Sequence, residues 1–147
     1  MPESAVPRGY ILAFDFGMRR IGVAIGQTTT QSATALKTVS NGPGPDWAAV
    51  DRLVAEWRPQ LLVVGLPLGA EGEETDMSKA ARRFGSALSS RYGLSVEYAD
   101  ERLTSRAAEG RFAELRAAGH LRRKHAGQLD AISAQIILEN WLQSAHV

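Results

Sequence analysis

Apolar and polar positions alternate along this chain at two different periods, and the change of period divides it into elements. From Tyr10 to Asp15, residues Ile11, Ala13 and Asp15 fall on one side and Leu12 and Phe14 on the other, the two-residue period of a strand. Ile21 to Ile25 repeats the pattern, with Ile21, Val23 and Ile25 opposite Gly22 and Ala24. The turn Phe16-Gly17-Met18-Arg19 is short enough to fold these two strands into an antiparallel hairpin. Ala33 to Val39 predicts a third strand. Asn41-Gly42-Pro43-Gly44-Pro45 is a loop, because its glycines and prolines interrupt regular structure.

Beyond that loop the period lengthens. Asp46 can cap a helix running to Arg58, with Trp47, Val50, Leu53, Val54 and Trp57 at helical spacing and Pro59 ending it. Leu61 to Val64 is a continuous apolar run, as expected of a strand covered on both faces. A helix from about Asp76 to Tyr92 carries Met77, Ala81, Phe84 and Leu88 on one stripe and stops at Gly93. Leu94, Val96 and Tyr98 alternate as a further strand. Thr104 can cap a helix to about Ala118, closed by Gly119, and a last helix is expected from about Gly127 to Ser144.

This order predicts an α/β fold. An antiparallel β-meander followed by parallel βαβ units gives a mixed five-stranded sheet with helices on both faces. No internal repeat is visible, and the loops Asn41–Pro45 and Gly69–Thr75 are too short to link domains. A single domain over residues 1–147, with its core at about 9–143, is therefore expected.

Composition narrows the chemistry. With 44% hydrophobic and 22% charged residues, the chain can build an ordinary core without a disulfide or metal staple. It has no cysteine, which excludes thiol catalysis, cysteine-ligated zinc and iron–sulfur clusters. Its three histidines, His120, His125 and His146, are too few for a histidine-rich metal cage. No apolar run approaches the roughly 18–20 residues of a membrane span, and Met1 to Arg8 has no apolar signal core, so a cytoplasmic location away from membranes is expected. The formal charge of +1 says little until its distribution is read.

Carboxylates at three places along the chain remain as candidate ligands. Asp15 closes an apolar strand, Asp100 and Glu101 follow the strand ending at Ala99, and Asp130 begins the last helix on the face of Ala134, Ile137 and Trp141. An inward carboxylate is costly unless compensated, and several converging would repel one another. Hard divalent cations such as Mg²⁺ or Mn²⁺ resolve both problems, and a pair of them can support phosphodiester cleavage. The competing reading of each acid is a cap or turn residue. Arg19 and Arg20 follow Asp15 closely and suit either a scissile phosphate or a turn ion pair. Between Arg102 and Lys124 there are seven Arg or Lys against two acids, Glu109 and Glu114, an electrostatic footprint suited to nucleic acid. Arg122, Arg123 and Lys124 suit a loop closing over substrate, whereas Lys79, Arg82 and Arg83 read best as a solvated helix face.

Four motifs occur in order: Asp15-Phe-Gly-Met-Arg-Arg-Ile-Gly-Val-Ala24, Val64-Gly-Leu-Pro67, Asp100-Glu-Arg-Leu-Thr104 and Leu129-Asp-Ala-Ile-Ser-Ala134. From about Tyr10 to Leu142 the chain resembles the YqgF (RuvX) family. That family has an RNase H-like fold and is described both as Holliday junction resolvases and as nucleases acting on the 5′ end of pre-16S rRNA. The resemblance implies that Asp15, Glu101 and Asp130 are the catalytic, metal-holding acids, with two Mg²⁺ or Mn²⁺ ions when substrate is bound. It also implies a nucleic-acid partner, contacted by Arg19, Arg20, Arg102, Arg122, Arg123 and Lys124. Gly17, Gly22, Gly65, Pro67 and Thr104 take supporting roles in backbone turns, close approaches and a cap. Family members often carry Lys just before the last aspartate, where this chain has Ala126 and Gln128; its nearest lysine is Lys124.

Processing of an rRNA precursor is the leading expectation and junction cleavage the second. The protein is expected to act as a monomer or a homodimer. From other classes come an idle RNA-binding domain and an actin-like nucleotide-binding module, although the latter usually needs two domains around a cleft.

Overall fold

A computed structural model describes residues 9–100 and 126–145. Five strands, β1 (Tyr10–Phe16), β2 (Arg20–Gln27), β3 (Ser32–Ser40), β4 (Leu61–Leu66) and β5 (Val96–Asp100), form one sheet in the order β3-β2-β1-β4-β5. The first three pair antiparallel, while β1–β4 and β4–β5 are parallel, as the meander-then-crossover pattern predicts. Helices α1 (Trp47–Trp57) and α2 (Asp76–Tyr92) cover one face and α3 (Ala126–Ala145) covers the other.

Strand alternation creates two cores. Leu12 and Phe14 of β1, with Leu62 and Val64 of β4, face Val50, Leu53, Phe84 and Leu88 of α1 and α2. Ile11 and Ala13, with Leu61 and Val63, face Ile137, Leu138, Trp141 and Leu142 of α3. Every residue of β4 is buried, which explains its unbroken apolar run. Phe14 meets Phe84 edge-on at 5.5 Å.

The helix ends follow from local chemistry. The Asp46 carboxylate accepts the Ala49 N–H at 3.2 Å, and Arg58 turns the chain left-handed before Pro59. Thr75 and Ser78 form a reciprocal capping box on α2, and Gly93 closes that helix at φ +66°. The strands run slightly longer than the apolar alternation alone indicates, because ladder hydrogen bonds continue into polar ends. β5 departs from the expectation in starting at Val96 rather than Leu94. In β3 an extra residue, Leu36, interrupts the register between Lys37↔Val23 and Ala35↔Ala24. The Ala35 N–H there donates instead to Gln135 Oε1 of α3 at 3.0 Å.

Candidate active site

The parallel register aligns the C-terminal ends of three strands: Phe14 lies beside Val64, and Val64 beside Tyr98. One residue further along, Asp15, Gly65 and Ala99 reach the same edge. Asp15 continues the Ile11–Ala13 side of β1 and so faces α3. Phe16, its neighbour, turns to the opposite side and packs on Phe84 at 5.1 Å. Asp100 has the parity of Val96 and Tyr98, placing it on the α1–α2 face, away from the side of Asp15.

Gly22 determines how α3 approaches. It is the register partner of Asp15 on the antiparallel neighbour β2. A Cβ built on Gly22 would lie 1.9 Å from the Asp130 carbonyl oxygen and 2.2 Å from its carbon. Only glycine admits that contact, so the first part of α3 lies directly on β2 beside Asp15. Asp15 and Asp130, separated by most of the sequence, therefore flank the same glycine. The helical face expected for Asp130 is confirmed: Ala134, Ile137 and Trp141 are buried, and the Asp130 side chain is 28% exposed.

Arg20 occupies Asp130 in this arrangement. Its Nε donates to Asp130 Oδ2 at 2.7 Å. The ion pair expected of Arg20 within the turn is made with an acid distant in sequence. Arg19 is exposed on the turn and makes no ion pair with a described residue. Gly17 is tight for a different reason, since a Cβ there would meet the Arg20 carbonyl oxygen at 2.6 Å. Gly65 is buried at the end of β4, and the Pro67 carbonyl accepts a hydrogen bond from the Thr75 hydroxyl at 3.0 Å. The expectations for Glu101, Arg102, Thr104, Arg122, Arg123 and Lys124 lie outside the described residues.

Asn41 contributes a feature that sequence patterning missed. It is 5% exposed, its Nδ2 donates to the Gly17 carbonyl, and its N–H donates to the Arg19 carbonyl at 2.8 Å. Its place in a Gly- and Pro-rich loop gives no sequence sign that it clamps the β1–β2 turn.

Among the described residues, two carboxylates on the α1–α2 side of the sheet are displaced in titration. Hydrogen bonds from Arg91 and then Tyr92 hold Asp51 well below the usual carboxylate range, while burial opposes them. The Arg82 guanidinium likewise lowers Glu74. These pairs tie α1 to α2, and the loop before α2 to α2 itself, and are structural.

The donor set suits a hard divalent cation, because Asp15 and Asp130 supply only carboxylate oxygen and a cationic group already sits on Asp130. Among the described residues there is no cluster of three acids or histidines able to hold a metal.

A family model described as "RuvX: Holliday junction resolvase" matches residues 9–144. The chain belongs to the RuvX family. Among relatives of this RuvX-family chain, a protein of Dechloromonas aromatica is 48% identical over 139 residues, covering 94% of this chain and 93% of its own. One of Chromohalobacter salexigens is 51% identical over 132 residues, covering 89% and 87%. Both carry the name "Putative pre-16S rRNA nuclease". The structure of Thermus thermophilus RuvC in complex with a Holliday junction substrate superposes with a TM-score of 0.59 at 15% identity, covering 92% of this chain and 95% of that one. RuvC is RNase H-like, so the fold expected from the sequence holds. No described helix is long and apolar enough to cross a membrane.

Proposed function

We propose that this RuvX-family chain is a nuclease that hydrolyses phosphodiester bonds near the 5′ end of a small-subunit rRNA precursor. The observation that supports the reading is the contact at Gly22, which seats the Asp130 backbone on the strand partner of Asp15. Glu101 joins them as the third acid on the strength of the Asp-Glu-Arg motif. These acids would hold Mg²⁺ or Mn²⁺, two ions with substrate bound, which supply charge neutralisation and an activated water.

The protein's own part is positioning. Asp15 is fixed by a central strand and Asp130 by a helix seated on that strand's neighbour, so both acids stand on rigid elements. Water adds to phosphorus in line with the leaving oxygen, the bond to that oxygen breaks, and the oxygen takes up a proton. Arg19 and Arg20 offer cations to the phosphate at the hairpin turn, and Arg102, Arg122, Arg123 and Lys124 extend the basic surface along the nucleic acid. Gly17, Gly65 and Pro67 shape the surrounding loops, and Thr104 caps the helix expected after it. The protein works in the cytoplasm, as a monomer or a homodimer.

Cleavage of four-way DNA junctions is the second reading, favoured by the family description and the RuvC-like fold. Opposed cuts on a junction call for a symmetric pair of sites. The test is cleavage of a precursor-rRNA 5′ fragment and of a four-way junction, each with Mg²⁺, Mn²⁺ or EDTA. Metal-dependent cutting of the RNA alone is expected. Cutting of the junction alone reverses the ranking, and cutting that persists in EDTA removes the metal mechanism. RNA binding without cleavage, indifferent to Mg²⁺, points to an idle binding domain, and micromolar ATP binding to the actin-like module.

A further inference from the structure

The β1–β2 turn borders a second feature, on the α1–α2 side of the sheet. A cleft of about 450 Å³ opens there between the turn, the Asn41–Pro45 loop and α2. That volume falls within the roughly 300–1,000 Å³ of small-ligand sites. Its wall is aromatic: Phe16 and Trp47 lie against Phe84 at 5.1 and 5.7 Å, with interplanar angles of 36° and 31°. Met18 stands on the rim, 66% exposed, the one large exposed hydrophobic side chain among the described residues.

Charge and hydrogen bonding indicate the occupant. Arg83 lines the cleft, no carboxylate does, and Arg83 forms no ion pair with a described residue. This favours a polyanion over a basic partner. Asn41 also lines the cleft while almost wholly buried. Its Nδ2 is committed to the Gly17 carbonyl, and no described residue hydrogen-bonds its Oδ1, which leaves an acceptor for an N–H donor. A flat ring with N–H groups, attached to a phosphate chain, meets all of these conditions.

We propose that this cleft receives an unpaired nucleobase of the substrate strand, close to the phosphate addressed by Asp15 and Asp130. The inference rests on the nuclease reading and specifies the substrate further. Asp15 and Phe16 are consecutive residues on opposite faces of β1, so a strand crossing the sheet's end meets the acids on one side and the cleft on the other. A base within a duplex is stacked and paired on its hydrogen-bonding edge, so the cleft selects single-stranded or frayed substrate.

The test uses the full chain in EDTA, which prevents metal-dependent cleavage, and short unstructured RNAs with an abasic site at successive positions. Anisotropy reads affinity and tryptophan emission reads stacking near Trp47, since Trp57 and Trp141 do not line the cleft. In the wild type, an abasic site at one position weakens binding roughly 5- to 150-fold, the range for losing one stacked base. Ala80→Phe, which fills the cleft, shows a similar loss with intact RNA, and the abasic site then costs nothing more. Met18→Ala on the exposed rim weakens binding several-fold and provides the comparison should Ala80→Phe fail to fold. Wild-type affinity in both variants, or an equal abasic penalty in wild type and Ala80→Phe, overturns the proposal. Metal-dependent cleavage with no such coupling sinks the base site alone. Undiminished cleavage by Asp15→Asn sinks the assignment of the acids and leaves the coupling measurement standing.

Discussion

Gly22→Ala puts a methyl group where the fold has no room for one. The new carbon would sit 1.9 Å from the Asp130 carbonyl oxygen, and ordinary contact begins near 3.4 Å, so the start of α3 must retreat by about 1.5 Å. The obstacle is backbone, so no side-chain rotation relieves it. Backing the helix away loosens the layer of Ile137, Leu138, Trp141 and Leu142 on β1 and β4. A gap of even 0.5–1 Å forfeits about a quarter to a half of each contact's attraction, and overpacking costs about 1–3 kcal/mol or more. A cost at the upper end of that range, about 3 kcal/mol, is a large part of the roughly 5–15 kcal/mol that stabilises a domain.

At about 2–4 °C per kcal/mol for a domain near this size, the melting temperature should fall by about 6–12 °C. The same retreat moves Asp130 away from Asp15, and a misplacement of about 1 Å can cost roughly 100-fold in rate. Thermal melts and RNA cleavage below the melting transition read both effects. Gly44→Ala is the control: no atom lies within 4 Å of its Cβ position, and stability should stay within about 0.5 kcal/mol. A Gly22→Ala protein that melts with the wild type and cleaves at its rate would refute the claim that this glycine seats Asp130 beside Asp15.

Other outcomes follow from the same geometry. Asp15→Asn should abolish metal-dependent cleavage while leaving the melting temperature unchanged or higher, because one member of a repelling set is neutralised; a large drop in melting temperature would show that Asp15 is structural. Arg20→Gln removes the cation on Asp130, so Mn²⁺ should bind the free protein about 1.4- to 5-fold more tightly in a direct titration, in line with a partly exposed pair worth about 0.2–1 kcal/mol, even as cleavage slows. Unchanged or weaker Mn²⁺ binding would remove Arg20 as a competitor for the acid. Asp51 has a depressed folded-state pKa, so its stabilising contribution is present above about pH 4 and fades as pH falls below that. Asp51→Asn should lower stability at neutral pH and flatten the acid limb of the melting curve, whereas parallel acid limbs would contradict the assignment.

Much of the fold was legible because period and burial coincide. The Ile11–Ala13–Asp15 alternation placed Asp15 on its face, the unbroken Leu61–Val64 run announced a covered strand, and Asp130 shared the stripe of Ala134, Ile137 and Trp141. The approach of the Asp130 backbone to the strand beside Asp15 was not legible from spacing. It depends on α3 docking at Gly22, a contact between backbones that carries no side-chain pattern. Arg20 was ambiguous for the same reason, since its partner is distant in sequence. Asn41 was hidden by its neighbours: glycine and proline mark a loop but do not tell which of its polar groups is turned inward. The Asp51–Arg91–Tyr92 cluster escaped because it joins two helices whose relative placement only the sheet determines.

These hidden contacts meet at one place. Strand alternation sends Asp15 and Phe16 to opposite faces at the end of β1, so a single strand terminus supplies a carboxylate to one surface and an aromatic ring to the other. Gly22 brings α3 to the carboxylate, and Asn41 holds the turn that follows the ring. A displacement of that turn would therefore reach both surfaces. Asn41→Ala removes the Nδ2 bond to Gly17 while keeping the backbone bond to Arg19, so it should disturb cleavage and the Trp47 stacking signal together. Change in only one of the two would mean that the faces are mechanically independent and that β1, rather than the turn, sets their geometry.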